Sequence, residues 1–261
     1  MIRIQGRAVV YGELWFDEEP PAHPGVDVVV YRCRHTPIPN ARTETFRSLC
    51  TDLTGQPEAI TAGLHHGCRY QVRRAETKDG LRHEVTPDAF DNLEAFSDFY
   101  DAFAGQKVLW PADCRWLARA AAEGQLVLSC ASRGGEPLVW HAYLRSGRTV
   151  RLAYSASCFR GKDSGYRSLV SRANRWLHWR DILYFKGVGL GCYDWGGIFA
   201  DDSTPERAGL NRFKSMFGGQ PLVQYECTVP ATVRGRAWLA LRDTWRSWHS
   251  PRPVPVLRQS A

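Results

Sequence analysis

The chain has 261 residues, 44% of them hydrophobic and 23% charged, and a net charge of +7. This composition suits a globular protein with a sizeable core and excludes an intrinsically disordered chain. No apolar run approaches the ~18 residues of a membrane span, and the N-terminus has no apolar signal-peptide core, so we expect a cytoplasmic protein. Residues 231–261 hold six arginines and one acid, so most of the net charge lies in this tail.

The eight cysteines are scattered and form no C-x-x-C pair. This spacing argues against a structural zinc site, and we expect no metal. In a reducing compartment, the simplest interpretation is that the cysteines are small buried apolar side chains.

The N-terminal part reads as strand-rich and then helical. Residues 12–16 and 26–31 are short runs of β-branched and aromatic residues and predict strands. Residues 41–66 are weakly periodic, and we predict that they contain a helix. On the next predicted helix, Arg69 and Arg73 lie one turn apart, where they could clamp a phosphate or carboxylate or simply form a solvated basic face.

A strand and two helices follow. Residues 81–85 predict the strand, after which Thr86 reads as an N-cap and Pro87 as the first helical residue. The second helix runs from about Asp113 to Gly124. The first helix presents an apolar stripe that predicts a core-facing side: Phe90, Leu93, Phe96, Tyr100 and Phe103.

The middle of the chain predicts an antiparallel meander, because short glycine turns separate apolar runs at 125–131, 138–144 and 149–157. The longest helix, about 167–186, then leads to a strand at 190–193. That strand must run parallel to the one before the helix, since a helix crosses between them. With a helix at 206–217 and a strand at 221–229, the order predicts an α+β fold: a central mixed sheet with a meander, then a βαβ unit, and helices on both faces.

A glycine-containing loop joins the third meander strand to the longest helix. Backbone N–H groups at a helix N-terminus attract phosphate, and glycines allow a pyrophosphate to approach the backbone. We expect this loop to bind the phosphates of a cofactor through Arg160, Gly161, Lys162, Ser164, Gly165 and Tyr166.

Two further groups of residues could carry chemistry. Asn174, His178 and Asp181 share one side of the longest helix, where His178 could relay a proton or be a hydrogen-bonded structural histidine. Asp194 follows a buried parallel strand at its carboxyl end, the edge where ligands bind in open α/β sheets. Lys214 stands near aromatic residues in sequence, where it could stabilise an oxyanion or be a surface lysine.

These elements and motifs together resemble the GNAT acyltransferase fold, and within it the FemAB-like branch. That branch includes the aminoacyl-tRNA-dependent transferases that build peptidoglycan bridges, and single-domain relatives that look like acyltransferases of cell-envelope polysaccharides. The resemblance spans roughly residues 60–230. It rests on the segments 68–76, 173–179, 193–197 and 213–219.

The resemblance implies transfer of an acyl or aminoacyl group to an amine. It implies that Lys214 stabilises the developing oxyanion or the donor's phosphate, and that Tyr193 and Asp194 line the acceptor pocket. Asp194 is the first candidate for the base and His178 the second. Arg69, Arg73 and Arg74 would meet an anionic acceptor such as a nucleotide-linked sugar, and Asn174, Trp195 and Phe213 complete the expected substrate-binding set.

The C-terminal helix predicted at 234–249 is basic and carries one apolar stripe: Trp238, Leu241, Trp245 and Trp248. Such a helix suits peripheral contact with a membrane surface, and it equally suits docking on its own domain.

We therefore expect an N-acyltransferase that moves an acyl group from acyl-CoA to an amino group of a cell-envelope sugar or peptide precursor. It would act in the cytoplasm or at the inner face of the membrane. The alternatives are an aminoacyl-tRNA donor, or a non-catalytic module that binds an anionic nucleotide sugar or RNA. The expected domains are a strand-rich extension (1–60), the acyltransferase domain (61–230) and a basic helix with a proline-rich tail (231–261).

Overall fold

A computed structural model describes residues 1–19, 25–87 and 89–249. Backbone contacts divide the described chain into two compact units, one formed by Met1–Phe46 with the segment that begins at Val223, and the other by Arg47–Leu222. The strands are β1 Ile2–Gln5, β2 Val10–Trp15, β3 Val28–Arg34, β4 Arg42–Asp52, β5 Arg82–Thr86, β6 Leu126–Arg133, β7 Glu136–Ser146, β8 Thr149–Ser157, β9 Cys192–Gly197 and β10 Gln220–Pro230. The helices are α1 Pro57–Gly63, α2 His66–Lys78, α3 Leu93–Lys107, α4 Cys114–Ala122, α5 Ser164–Gly187, α6 Pro205–Ser215 and α7 Val233–His249.

The first unit is built on strands in the order β1-β2-β3-β10. The β2–β3 pair is parallel, whereas β1 with β2 and β3 with β10 are antiparallel. Leu14, Val26 and Val29 form its apolar core. In this unit α7 approaches Asp27 so closely that a Cβ on Gly235 would lie 1.9 Å from the Asp27 carbonyl oxygen, so glycine is required there.

The second unit has strands in the order β4-β9-β8-β7-β6-β5. β5 to β8 pair antiparallel in sequence order, and β8 pairs parallel to β9 after the α5 crossover. The predicted meander and the predicted parallel strand are therefore confirmed.

Helices cover both faces of this sheet. Successive strand residues point to opposite faces, and in β7 Val139 belongs to the core formed with α5. The next residue, Trp140, contacts Phe96 of α3 edge-to-face at 6.2 Å between ring centroids. The mixed sheet between two helical layers matches the predicted fold class.

One predicted segment differs. Residues 41–66 do contain the expected helix, α1, but they begin with the eleven-residue strand β4. The first half of β4 is mostly exposed and polar, so its sequence shows no alternation of buried and exposed residues. It pairs with β9 at Cys50–Asp194 and neighbouring positions, and Cys50 lies 142 residues before Cys192 of β9, so local pattern does not reveal this pairing.

The predicted start of α3 is wrong. Thr86 is the last residue of β5, and α3 begins at Leu93 after Asn92. Asn92 Nδ2 donates to Thr86 Oγ1 at 2.8 Å, so the Thr86 hydroxyl binds a side chain in the connecting loop instead of capping a helix. Phe90 lies before the helix and is 56% exposed, outside the core face to which it was assigned.

The cysteine interpretation needs a correction too. Cys50 of β4 and Cys192 of β9 form a disulfide, with their Cα atoms 6.3 Å apart. Cys114 is exposed. Of the remaining cysteines, Cys33, Cys68, Cys130 and Cys227 are buried as predicted.

The C-terminal helix is confirmed as α7. Trp238 donates from its indole N–H to the Tyr11 hydroxyl within the first unit, while Leu241 is exposed. The side chains of Trp245 and Trp248 and the tail 250–261 lie outside the described residues. Across the described part of the chain, no helix is long and apolar enough to cross a membrane. The expected domain boundaries at residues 60 and 230 stay a prediction.

Candidate active site

Lys214 is a buried lysine in the last turn of α6, with 3% of its surface exposed. Its Nζ donates to the carbonyl oxygen of Gly197, at the end of β9, at 2.8 Å. Burial lowers the pKa of Lys214 to about 7, and the neighbouring charge of Arg151 adds to this effect, whereas Asp194 opposes it. A lysine that titrates near neutrality inside a fold is a functional-site signal.

Asp194 is fully buried on β9. Its Oδ1 accepts hydrogen bonds from the Ser48 hydroxyl and from the backbone N–H of Gly196, the latter at 2.8 Å. Its Oδ2 accepts one from Arg151 Nη1 at 2.8 Å. Gly196 has φ of +75°, a conformation that turns its N–H back onto the carboxylate and that favours glycine. Asp194 therefore ties β9 to Ser48 of β4 and to Arg151 of β8.

β8 and β9 pair with each other only at the start of β9. The paired residues are Thr149–Cys192, Val150–Tyr193 and Arg151–Asp194. Both strands then continue, β8 to Ser157 and β9 to Gly197, without further pairing to each other in the described chain. Asp194 and Arg151 thus mark the point at which the two parallel strands part.

His178 lies beside this point on α5 and is 1% exposed. Its Nδ1 lies 2.8 Å from the Tyr193 hydroxyl, which lies 2.8 Å from the Tyr143 hydroxyl. Tyr143 in turn donates to Asp181 Oδ2 at 2.6 Å. Burial lowers the pKa of His178 well below its usual value, and the electrostatic effects of His141, Lys214 and Arg175 act in the same direction.

Asp181 is the centre of a buried polar cluster. His83 Nε2 lies 2.9 Å from its Oδ1, while Ser129 Oγ and His141 Nδ1 each lie 2.9 Å from its Oδ2. Burial alone would raise the pKa of Asp181, but hydrogen bonds from His141 and His83 hold it below its ordinary value, so the group is a carboxylate. His141 Nε2 reaches Asn174 Oδ1 at 2.9 Å, which ties the third predicted polar residue of α5 to the same cluster.

Aromatic side chains pack around His178. Its ring centroid lies 4.7 Å from that of Trp195, 5.6 Å from Phe213 and 5.5 Å from Phe217. Trp195 is fully buried and donates from its indole N–H to Thr51 Oγ1 at 2.9 Å. The sequence-predicted residues of β9, α5 and α6 therefore meet in one place.

The predicted phosphate loop lies on the surface. The N-cap residue, Asp163, places its own carboxylate on the backbone N–H of Tyr166 at 2.9 Å, so the helix N-terminus already has an anionic partner. Arg160 donates to the carbonyl oxygen of Gln106. The Lys162 ammonium lies 5.3 Å from the centroid of the Tyr166 ring. Gly161, Ser164 and Gly165 are exposed.

A groove of about 480 Å³ runs between α2 and α5. Of the three predicted α2 arginines, only Arg74 lines it; Arg69 donates to the Ala62 carbonyl oxygen at 3.0 Å, and Arg73 is exposed. The groove adds two arginines that the sequence analysis missed, and its lining comprises Tyr70, Gln71, Arg74, Ser164, Arg167, Ser168, Ser171 and Arg172.

The sequence analysis also missed Ser48, His83, Ser129, His141, Tyr143 and Arg151. Serine, histidine and tyrosine within otherwise apolar strands could have indicated a buried polar cluster, because buried polar side chains need hydrogen-bond partners. The identity of those partners was not readable, since they lie up to 146 residues away.

Comparisons with known proteins find structural neighbours. No family model matches the sequence, and no curated protein matches it. FemX aligns with 75% of this chain at 13% identity and a TM-score of 0.58, and the match covers 63% of the FemX chain. The C-terminal domain of a protein assigned as a lysylphosphatidylglycerol synthetase, from Agrobacterium fabrum, aligns with 85% of this chain and 73% of its own at 11% identity and a TM-score of 0.51.

These likenesses define the class of fold: a mixed α/β fold shared with FemX and with the synthetase domain, which agrees with the fold predicted from the sequence. The chain has the fold of FemX and spans less than two thirds of its length.

Proposed function

We propose that this chain is an N-acyltransferase that moves an acyl group from acyl-CoA to an amino group of a cell-envelope sugar or peptide precursor. The observation that carries the proposal is the buried Lys214 ammonium at the end of β9, within a FemX-like fold. A buried lysine that titrates near pH 7 needs a reason, because burying its charge costs stability.

The reaction balances as follows. The amine nitrogen of the acceptor bonds to the acyl carbon, and the carbon–sulfur bond to CoA breaks. One proton leaves the amine for a base, and the departing thiolate takes up a proton. Between these steps the carbonyl oxygen carries a negative charge, and a preorganised cation in a dry site stabilises it strongly. Lys214 supplies that cation in its protonated form.

Of the two candidate bases we favour His178, because of the hydrogen bonds that Asp194 already accepts. Asp194 already accepts hydrogen bonds from Ser48, Gly196 and Arg151, so a proton from substrate would compete with three donors. His178 is neutral, because burial lowers its pKa, and a neutral imidazole has one lone pair that can accept a proton. We assign Asp194 to holding the strands where they part, and His178 to proton acceptance.

The gap between β8 and β9 suits the donor. Past Arg151 and Asp194 the two strands do not pair with each other, and we propose that an extended pantetheine arm lies between them, with its amide groups on the strand backbones. The phosphates of the donor or of the acceptor fit the α2–α5 groove, where Arg74 and Arg167 flank serine hydroxyls. The loop residues 160–166 stay the alternative phosphate site.

The test is a transfer assay on the purified full chain with acyl-CoA and amino-sugar or peptide acceptors. Lys214→Met should lower kcat about 100-fold or more, the loss typical of removing one oxyanion contact. Lys186→Met is the matched control, because Lys186 also donates to a backbone carbonyl, that of Leu53, at 3.0 Å. Equal kcat for the two variants would refute the assignment of Lys214.

The same assay ranks the bases and the donors. His178→Gln should lower kcat more than Asp194→Asn does, and the reverse order would return Asp194 to the role of base. Turnover with charged tRNA in place of acyl-CoA would change the proposal to aminoacyl transfer. Salt-dependent binding of RNA without turnover of either donor would leave a binding module.

The membrane contact and the cytoplasmic location belong to the same proposal. An enzyme of envelope precursors would gain from a surface that holds it near lipid-linked acceptors, and residues 234–249 carry basic side chains. Deleting residues 234–261 should reduce binding to anionic vesicles. Unchanged binding would assign α7 solely to the first unit, where Trp238 already contacts Tyr11.

A further inference from the structure

A continuous hydrogen-bond chain links His178 to a buried carboxylate. It runs from His178 Nδ1 to the Tyr193 hydroxyl, to the Tyr143 hydroxyl and to Asp181 Oδ2, over distances of 2.8, 2.8 and 2.6 Å. All four side chains are at most 1% exposed, so water does not compete for these bonds. The donor and acceptor capacity of these four side chains therefore determines which atom carries each proton.

The carboxylate at one end of the hydrogen-bond chain determines which partner donates in each hydrogen bond. The Asp181 carboxylate only accepts, so Tyr143 donates to it and has no second proton. Tyr143 must then accept from Tyr193, which in turn has spent its own proton. The Tyr193 oxygen can bind His178 Nδ1 only as an acceptor, so Nδ1 carries the hydrogen.

We propose that Tyr143 and Asp181 are positioning residues that hold His178 as its Nδ1–H tautomer and leave Nε2 as the unprotonated nitrogen. A neutral imidazole carries one N–H, so fixing it on one nitrogen leaves the lone pair on the other. The tautomer is a property of the folded protein by itself. Its use in catalysis rests on the transfer activity proposed above, where Nε2 takes the proton that the amine loses.

The neighbours of His178 keep it in this neutral form. His141 stacks on it with 4.0 Å between ring centroids, and Lys214 and Arg175 act on it electrostatically. A second proton on His178 would add a positive charge beside these three groups. The hydrogen-bond chain then determines which nitrogen carries the one proton that remains.

Nitrogen NMR of histidine-labelled full-length protein reads the tautomer directly. We expect a protonated-type Nδ1 and an unprotonated-type Nε2 for His178, identified by their loss in His178→Gln. In Tyr143→Phe, the hydroxyl of Tyr193 loses its acceptor and turns to His178 Nδ1, so the pattern should reverse to Nε2–H. Tyr184→Phe, which removes a hydroxyl that is not part of the hydrogen-bond chain, should leave the wild-type pattern.

Two results would overturn the inference: an Nε2–H tautomer in the wild-type protein, or an unchanged tautomer in a folded Tyr143→Phe variant. If Tyr143→Phe does not fold, the wild-type spectrum still decides. In the transfer assay, Tyr143→Phe should lower kcat about 10- to 100-fold at unchanged KM, the range of a misplaced general base. A wild-type protein that transfers no acyl group would refute the proposed function, while the spectra would still decide the tautomer.

Discussion

Replacing Lys214 with methionine should make the stability of the protein less dependent on pH. The pKa of this lysine is about 7 in the folded chain, against an ordinary value of 10.5. Between these values the unfolded chain binds a proton that the folded chain does not, so wild-type stability rises with pH in this window. The full cost of charging the buried lysine is about 5 kcal/mol, from about 3.5 pKa units at about 1.4 kcal/mol each.

The assay is urea unfolding of both proteins at pH 7.5 and pH 9.0. One proton changes the free energy of unfolding by about 1.4 kcal/mol per pH unit, so the wild type should gain about 2 kcal/mol relative to Lys214→Met over this interval. Losing the hydrogen bond to Gly197 shifts the variant by an amount that does not depend on pH, and titrations elsewhere cancel in the difference. A difference that stays constant within about 0.5 kcal/mol would refute the lowered pKa of Lys214 in the folded protein.

Two further predictions concern a glycine and a disulfide of the second unit. Gly218→Ala should lower the free energy of unfolding by about 3 kcal/mol or more, because φ is +73° and the added Cβ would lie 2.3 Å from the Gly63 carbonyl oxygen. The matched control is Gly209→Ala in the middle of α6, where the added Cβ would have no atom within 4 Å. This substitution should be neutral or stabilising in the same urea titration. Non-reducing peptide mapping should recover Cys50 linked to Cys192, and Cys50→Ser should cost about 3–5 kcal/mol, since the bond closes a loop of 142 residues. Free thiols at both positions would contradict this.

Local patterns predicted the elements that local patterns specify. The meander follows from apolar runs separated by glycine turns, at which Gly134, Gly135 and Gly147 adopt positive φ. The parallel β8–β9 pair follows from the long helix between them, which leaves no other direction for the returning strand. These predictions needed no knowledge of distant contacts.

The strand β4 was not predicted, because its state depends on distant contacts. Its only buried residues are Ser48, Leu49 and Thr51, and the rest of the segment is exposed or half-buried. Ser48 donates to Asp194, and the Thr51 hydroxyl accepts from Trp195, so the state of β4 depends on a strand that arrives much later in the sequence. Periodicity cannot report such pairing, because it is a property of one segment alone.

The candidate site shows the same limit in its chemistry. Helical spacing placed His178 and Asp181 on one side of α5, and this was correct. It left open whether the histidine relays protons or is structural, because three residues of spacing say nothing about which nitrogen carries the hydrogen.

Tyr143 and Tyr193, which come from strands β7 and β9, determine in our proposal which nitrogen of His178 carries the hydrogen. Each hydroxyl has one proton to give, so a single carboxylate at the end of the chain sets the direction of every bond as far as His178. Removing one hydroxyl in the middle reverses the remaining bonds, with little change in packing. The proposed proton acceptance by His178 therefore depends on an ordered set of donors that only the assembled fold defines.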